Sequence, residues 1–271
     1  MPICTAAEMF DAKPIKHPAW IEPGVLVKGG MLLLGGYTKV GKSFMALEIA
    51  DCLAQGKPLF GITGFTIPSL AQVLYAELEL GQYGLQSRIQ KKYTAENPAS
   101  ESLHVIYDEP DLCPDDVLGI ENLAKLIEEH AINVLILDPA AAFVKGNELD
   151  NAHVEEYFRG CRKLTSRFTQ LGLAIIFIHH FKKPSEEDRK SGLDEYRVKG
   201  AAKWVERPDT IVLCRKVEGM LGEGERWLLE TKWRCRHMED RDKIELAVRD
   251  DWTVGVSKRE AQVNYLEGTL L

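Results

Sequence analysis

Met31-Leu32-Leu33-Leu34-Gly35-Gly36-Tyr37-Thr38-Lys39-Val40-Gly41-Lys42-Ser43 is the stretch on which the reading of this chain turns. The apolar run Met31–Leu34 reads as a buried strand. Gly36 to Ser43 then fit G-x-x-x-x-G-K-[ST], and a helical stretch, Ser43–Ala54, follows. A glycine-rich turn between a strand and a helix N-terminus points backbone amides at one spot, where they cradle phosphate oxygens. Gly36, Thr38, Lys39, Val40, Gly41, Lys42, Ser43 and Phe44 are the expected nucleotide contacts. Lys42 would bridge the β and γ phosphates of ATP, and the Ser43 hydroxyl would ligate Mg2+.

Working outward, further short apolar runs alternate with longer amphipathic stretches. Gln72–Leu78, Leu103–Tyr107, Val134–Leu137 and Leu173–Ile178 read as strands. Gln82–Lys92, Val117–His130 and Ala152–Gln170 read as helices, the last with Val154, Tyr157, Phe158, Cys161, Leu164 and Phe168 on one face. Strands apolar on both faces, alternating with helices, imply an α/β fold with a parallel sheet covered on both sides. After about residue 205 the pattern changes. Thr210–Val217, Arg226–Trp233, Lys243–Arg249 and Trp252–Val256 read as strands joined by short turns, an antiparallel extension of that sheet. One domain over 1–271 is expected, with an N-terminal arm (1–19) and a C-terminal tail (257–271). Residues 93–102 and 184–199 lack apolar periodicity and read as loops.

A phosphate-binding loop of this type needs a second carboxylate for the metal, at the end of a neighbouring apolar strand. Val134-Leu135-Ile136-Leu137-Asp138 supplies it, with Pro139 ending the strand, so Asp138 joins Ser43 as a candidate Mg2+ residue. Pro139 occupies the position after Asp138 where many such proteins carry the catalytic Glu. The base is therefore sought in Val73-Leu74-Tyr75-Ala76-Glu77-Leu78-Glu79, where strand alternation puts Glu77 and Glu79 on one face and leaves both open.

Composition limits the alternatives. The 271 residues are 45% hydrophobic and 28% charged, an ordinary globular balance. The longest apolar run, around Leu171–Ile178, is far short of the roughly 20 residues of a membrane helix. The N-terminus lacks a signal-peptide pattern, and the six cysteines form no metal-site spacing, so a cytoplasmic protein with reduced thiols is expected. A formal net charge of −7 argues against a charge-driven nucleic-acid coat. Residues 182–243 nevertheless carry 16 Lys+Arg against 14 Asp+Glu, whereas the rest carries 18 against 27.

Together these placements resemble the RecA-like P-loop ATPases, and within them the RepA-type hexameric replicative helicases, over roughly residues 20–250. WIEPGVLVKGGMLLLGGYTKVGKSFMALEIA is similar to that branch's run into its phosphate loop, and VLYAELELGQYGLQSRI to its base-bearing segment. The resemblance implies Glu79 as the base, with Arg88 on the following helix. IIFIHHFKK resembles the family's paired His, which implies that His180 senses the γ phosphate, with His179 beside it. Thr231-Lys232-Trp233-Arg234 resembles a Lys-x-Arg segment that reaches the neighbouring subunit's ATP, implying catalytic roles in trans for Lys232 and Arg234. The Gly that often follows that segment is Cys235 here.

The loop after the sensor histidines lines the central channel in RecA-like proteins. Its cations, Lys182, Lys183, Arg189, Lys190, Arg197 and Lys199, are the expected contacts with single-stranded DNA. The resemblance implies a homo-oligomer, a hexameric ring, working with replication or recombination proteins and not with a membrane. A recombination-accessory or regulatory ATPase without unwinding activity is the alternative. A P-loop small-molecule kinase is the third.

Overall fold

The computed structural model describes Thr5, Ala6, Phe10 and residues 17–109, 111–182, 193–195 and 198–261. Eleven strands and five α-helices are described: β1 (Ala19–Ile21), β2 (Leu26–Val27), β3 (Met31–Gly36), α1 (Lys42–Gln55), β4 (Val73–Glu77), α2 (Gly81–Lys92), β5 (Leu103–Tyr107), α3 (Val117–Glu129), β6 (Val134–Asp138), α4 (Asn151–Arg167), β7 (Ala174–His180), α5 (Lys203–Glu206), β8 (Thr210–Val217), β9 (Glu225–Cys235), β10 (Arg241–Arg249) and β11 (Val254–Val256).

Nine strands form one sheet in the order β11-β10-β9-β8-β3-β7-β6-β4-β5. The six from β8 to β5 are parallel, and β9, β10 and β11 continue antiparallel from β8. The α/β class, the mostly parallel sheet and the antiparallel extension are thus as read from the sequence. Alternation along the central strands divides the core. Leu32 and Leu34 of β3, with Ile136 and Ile176, pack on one face against Met45, Ile49 and Leu53 of α1. Met31 and Leu33, with Leu135 and Phe177, pack on the other face against Leu123 of α3 and Tyr157, Phe158 and Leu164 of α4. Each such buried side chain contributes about 1.5–3 kcal/mol relative to exposure.

Local signals set the ends of the elements. Asp150 caps α4 by accepting the Ala152 N–H at 2.7 Å, which uses one of the first-turn donors a helix leaves unpaired. The expected helix over Ala152–Gln170 stops at Arg167, and a 3-10 turn, Thr169–Leu171, completes it. The last strand begins at Val254, because Trp252 sits in the preceding turn at φ +63°. The expected N-terminal arm is shorter than 1–19, since Ala19 opens a two-stranded hairpin of β1 and β2.

One correction concerns the site directly. β6, which carries Asp138, is not the neighbour of β3: β7 runs between them. β4 is the other neighbour of β6, with Glu77 in register with Asp138. The carboxyl ends of β3, β7, β6 and β4 therefore form a row, and ligands of open parallel sheets bind in the crevice above such ends.

Candidate nucleotide-binding site

β3 ends at Gly36, the chain turns through Lys39 (φ +64°) and Gly41 (φ +115°), and α1 starts at Lys42. Any side chain at position 41 would be strained in that conformation. At Gly36 a Cβ would lie 2.6 Å from the Cys214 carbonyl oxygen, so a larger residue would push the loop off β8. Val40 is buried, while Thr38 and Lys39 are exposed on the rim. Lys42 is 5% exposed and spends its ammonium donors locally: on the carbonyls of Gly36 (3.0 Å) and Tyr37 (2.8 Å) and on His180 Nδ1 (3.1 Å). Burial lowers its pKa, opposed by the fields of Cys214, Asp138 and Glu79.

Glu77 and Glu79 do not share a face. The strand stops at Glu77, whose carboxylate turns back to accept the N–H groups of Glu79 (2.8 Å) and Leu80 (2.7 Å). Glu77 is 1% exposed, and burial raises its pKa. Glu79 has left the alternation: its side chain is half exposed, with Oε2 3.8 Å from His180 Nε2. The histidines divide likewise. His179 is fully buried, stacked 4.4 Å from Trp204, and its Nε2 donates to the Lys199 carbonyl at 2.8 Å. Burial pulls its pKa down to about 4. His180 is half-buried between Lys42 and Glu79, and burial, then the Lys42 charge, lowers its pKa. Because Nδ1 accepts from Lys42, the ring proton of neutral His180 sits on Nε2, facing Glu79.

Asp138 is 3% exposed and accepts a hydrogen bond from the Tyr75 hydroxyl on Oδ2. Its charge is felt at both Lys42 and His180. Ser43 lies in the first turn of α1, half-buried. A hydroxyl and a carboxylate are hard oxygen donors, the set that suits Mg2+.

A sequence profile of the AAA domain family matches residues 4–186. The chain belongs to that family. No curated protein matches it. Among solved structures it is similar to a KaiC-like protein from the hyperthermophilic archaeon Pyrococcus horikoshii OT3, with a TM-score of 0.53 and 14% identity. That likeness covers 90% of this chain and 99% of the other, and it is a likeness of fold. Sheet order, phosphate loop and family membership together make this AAA domain protein a RecA-like P-loop ATPase. Among the described residues no helix is long and apolar enough to cross a membrane.

The other expected residues of the AAA domain protein lie apart from Lys42. On β9, Lys232 donates to the Leu193 carbonyl at 3.2 Å, and Arg234 faces Glu195 and Asp240, each at 3.4 Å. Both thus turn toward the segment that follows β7 rather than toward their own phosphate loop. Lys199 is ion-paired with Glu148 at 2.5 Å, and Lys182 is exposed beside a cavity of about 400 Å3 that Glu195, Val198 and Gly200 also line. Lys183, Arg189, Lys190 and Arg197 lie outside the described residues.

Sequence reasoning missed an aromatic group at the loop. Phe44 packs 4.7 Å from Trp252 and 6.4 Å from Trp227, and Trp227 Nε1 donates to the Val40 carbonyl at 3.1 Å. Arg88 lies over Phe44 at 5.7 Å, and Arg226 over Trp252 at 4.4 Å. No local signal marks these tryptophans, which lie nearly two hundred residues or more beyond the loop. Tyr75 lies within the expected strand Gln72–Leu78, and nothing in the local sequence singles it out. Among the described residues no cluster of three or more His, Cys, Asp or Glu is arranged to hold a metal by itself.

Proposed function

We propose that this RecA-like ATPase hydrolyses Mg2+-ATP and couples the hydrolysis to binding or translocation of single-stranded DNA, as a RepA-like replicative helicase. The observation that carries the hydrolytic half is the line Lys42–His180–Glu79, which joins the phosphate loop to a half-exposed carboxylate through one imidazole. The triphosphate takes Lys42 away from the carbonyls of Gly36 and Tyr37. Glu79 orients a water and accepts its proton as the water oxygen bonds to the γ phosphorus and the bond to the bridging β,γ oxygen breaks. Ser43 and Asp138 hold Mg2+, which when bound neutralises phosphate charge. Phe44, with Trp227 and Trp252 beside it, offers ring surface to the base.

Coupling rests on how β7 ends. The His180 carbonyl accepts the Lys199 N–H at 2.8 Å, and His179 Nε2 donates to the Lys199 carbonyl at 2.8 Å. The far end of the 182–199 loop is thereby fastened to His180, which bonds Lys42, and to His179 beside it in the chain. Loss of the γ phosphate shifts His180 and, through Lys199, the loop whose cations grip the strand. Lys232 and Arg234 act on a neighbouring subunit's ATP in a hexameric ring, where a cation in trans is worth about 10³–10⁵ in rate.

ATP turnover with and without single-stranded DNA, on protein of recorded solution mass, tests this reading. An oligomer whose turnover rises with DNA and which displaces a strand is the helicase. DNA stimulation without strand displacement identifies the recombination-accessory or regulatory ATPase, a reading favoured by the internal pairing of Lys199, Lys232 and Arg234. A monomer indifferent to DNA overturns the helicase reading.

A further inference from the structure

We propose that Tyr75 is a positioning residue that aims the Asp138 carboxylate at the metal, an inference resting on the reading of Asp138 as the Mg2+ residue. Tyr75 lies in the middle of β4 and pairs with Ile136 of β6, so Asp138 is its diagonal neighbour two residues along. Tyr75 and Ile136 pack in the same core on one face of the sheet, and alternation returns Asp138 to that face. A phenol spans such a diagonal and a shorter side chain does not.

The contact is fully enclosed. Tyr75 is 0% exposed and Asp138 3% exposed, and the hydroxyl bonds Oδ2. A donor fixed on Oδ2 restrains the carboxylate's rotation and leaves Oδ1 as the oxygen for the metal. Groups that orient a metal-side ligand in this way commonly change metal affinity 10–100-fold when removed. The phenol ring alone would serve the core equally well as Phe. The hydroxyl is the part that packing does not explain.

The test is direct binding of Mn2+ in the presence of ADP, read by electron paramagnetic resonance, on the full chain. Tyr75→Phe is expected to weaken Mn2+ binding about ten-fold, while its affinity for ADP in EDTA stays that of the wild type. In the background of Asp138→Asn the same substitution is expected to change Mn2+ binding less than two-fold, because its route of action is gone. Far-UV spectra establish that the variants are folded, and Tyr75→Met, which adapts to the same space, is expected to repeat the loss. Wild-type Mn2+ affinity in Tyr75→Phe, alongside weakened binding in Asp138→Asn, overturns the positioning role and leaves the site reading standing. Wild-type affinity in Asp138→Asn overturns the site reading and this inference with it.

Discussion

The ends of β4 and β7 solve the same problem twice. Each places two like residues close together above the sheet, Glu77 and Glu79 on one, His179 and His180 on the other. At each end the inner residue is sealed in and bonded to backbone: Glu77 to the N–H groups of Glu79 and Leu80, His179 to the carbonyl of Lys199. The outer residue is open to the crevice and lies within 4 Å of another ionisable side chain: Glu79 beside His180, and His180 also beside Lys42. Burial thus separates a residue that shapes the backbone from a residue free to meet a ligand. The two ends differ in what the inner residue shapes. Glu77 builds the turn that carries its own partner, whereas His179 anchors a segment twenty residues further on.

The comparison breaks most visibly at Lys42, on which the outer residues converge. Lys42→Ala is expected to lower ATP turnover by roughly 10³-fold or more, measured as phosphate release at saturating nucleotide. Removal of the outer carboxylate comes next: Glu79→Gln should cost about 10²–10⁴ in turnover, with nucleotide affinity retained. A loss of affinity without loss of turnover would place Glu79 in binding rather than chemistry.

The inner residues answer to stability. His179 is held near pH 4, below its ordinary value near 6.5, so the unfolded chain protonates first as pH falls. Its contribution is fully present above pH 6.5 and is lost progressively toward pH 4, by about 3 kcal/mol. Urea unfolding of the wild type at pH 7.5 and 4.5 should show this loss, and His179→Gln should show a smaller one; equal losses would remove His179 as the cause. Glu77→Ala leaves two backbone donors without their acceptor and should cost about 1–3 kcal/mol, again by urea unfolding. Glu77→Gln retains an acceptor oxygen and should lose less.

Much of the frame was legible because the strands of this sheet are short apolar runs bounded by polar residues, so Leu103–Tyr107, only partly buried at the sheet edge, and Thr210–Val217 could be bounded from the sequence alone. The hairpin of Ala19–Ile21 and Leu26–Val27 was not, since three and two residues carry no periodicity. The loop and Asp138 were legible from local pattern. That β7 separates them was not, because strand order depends on crossovers and leaves no mark on either strand. The same-face placement of Glu77 and Glu79 failed for a physical reason. Alternation holds only while the strand lasts, and Glu77 ends the strand by bonding the next two amides. Trp227 and Trp252 reach the loop through β9 and the turn before β11, a proximity created by the antiparallel extension.

The proposed division of labour gives the chemistry to the open glutamate and not to the sealed one. Its most direct measurement is the nucleotide retained by Glu79→Gln and Glu77→Gln after incubation with Mg2+-ATP and rapid desalting. ATP is expected on the Glu79 variant and ADP on the Glu77 variant. ATP on the Glu77 variant and ADP on the Glu79 variant would contradict it.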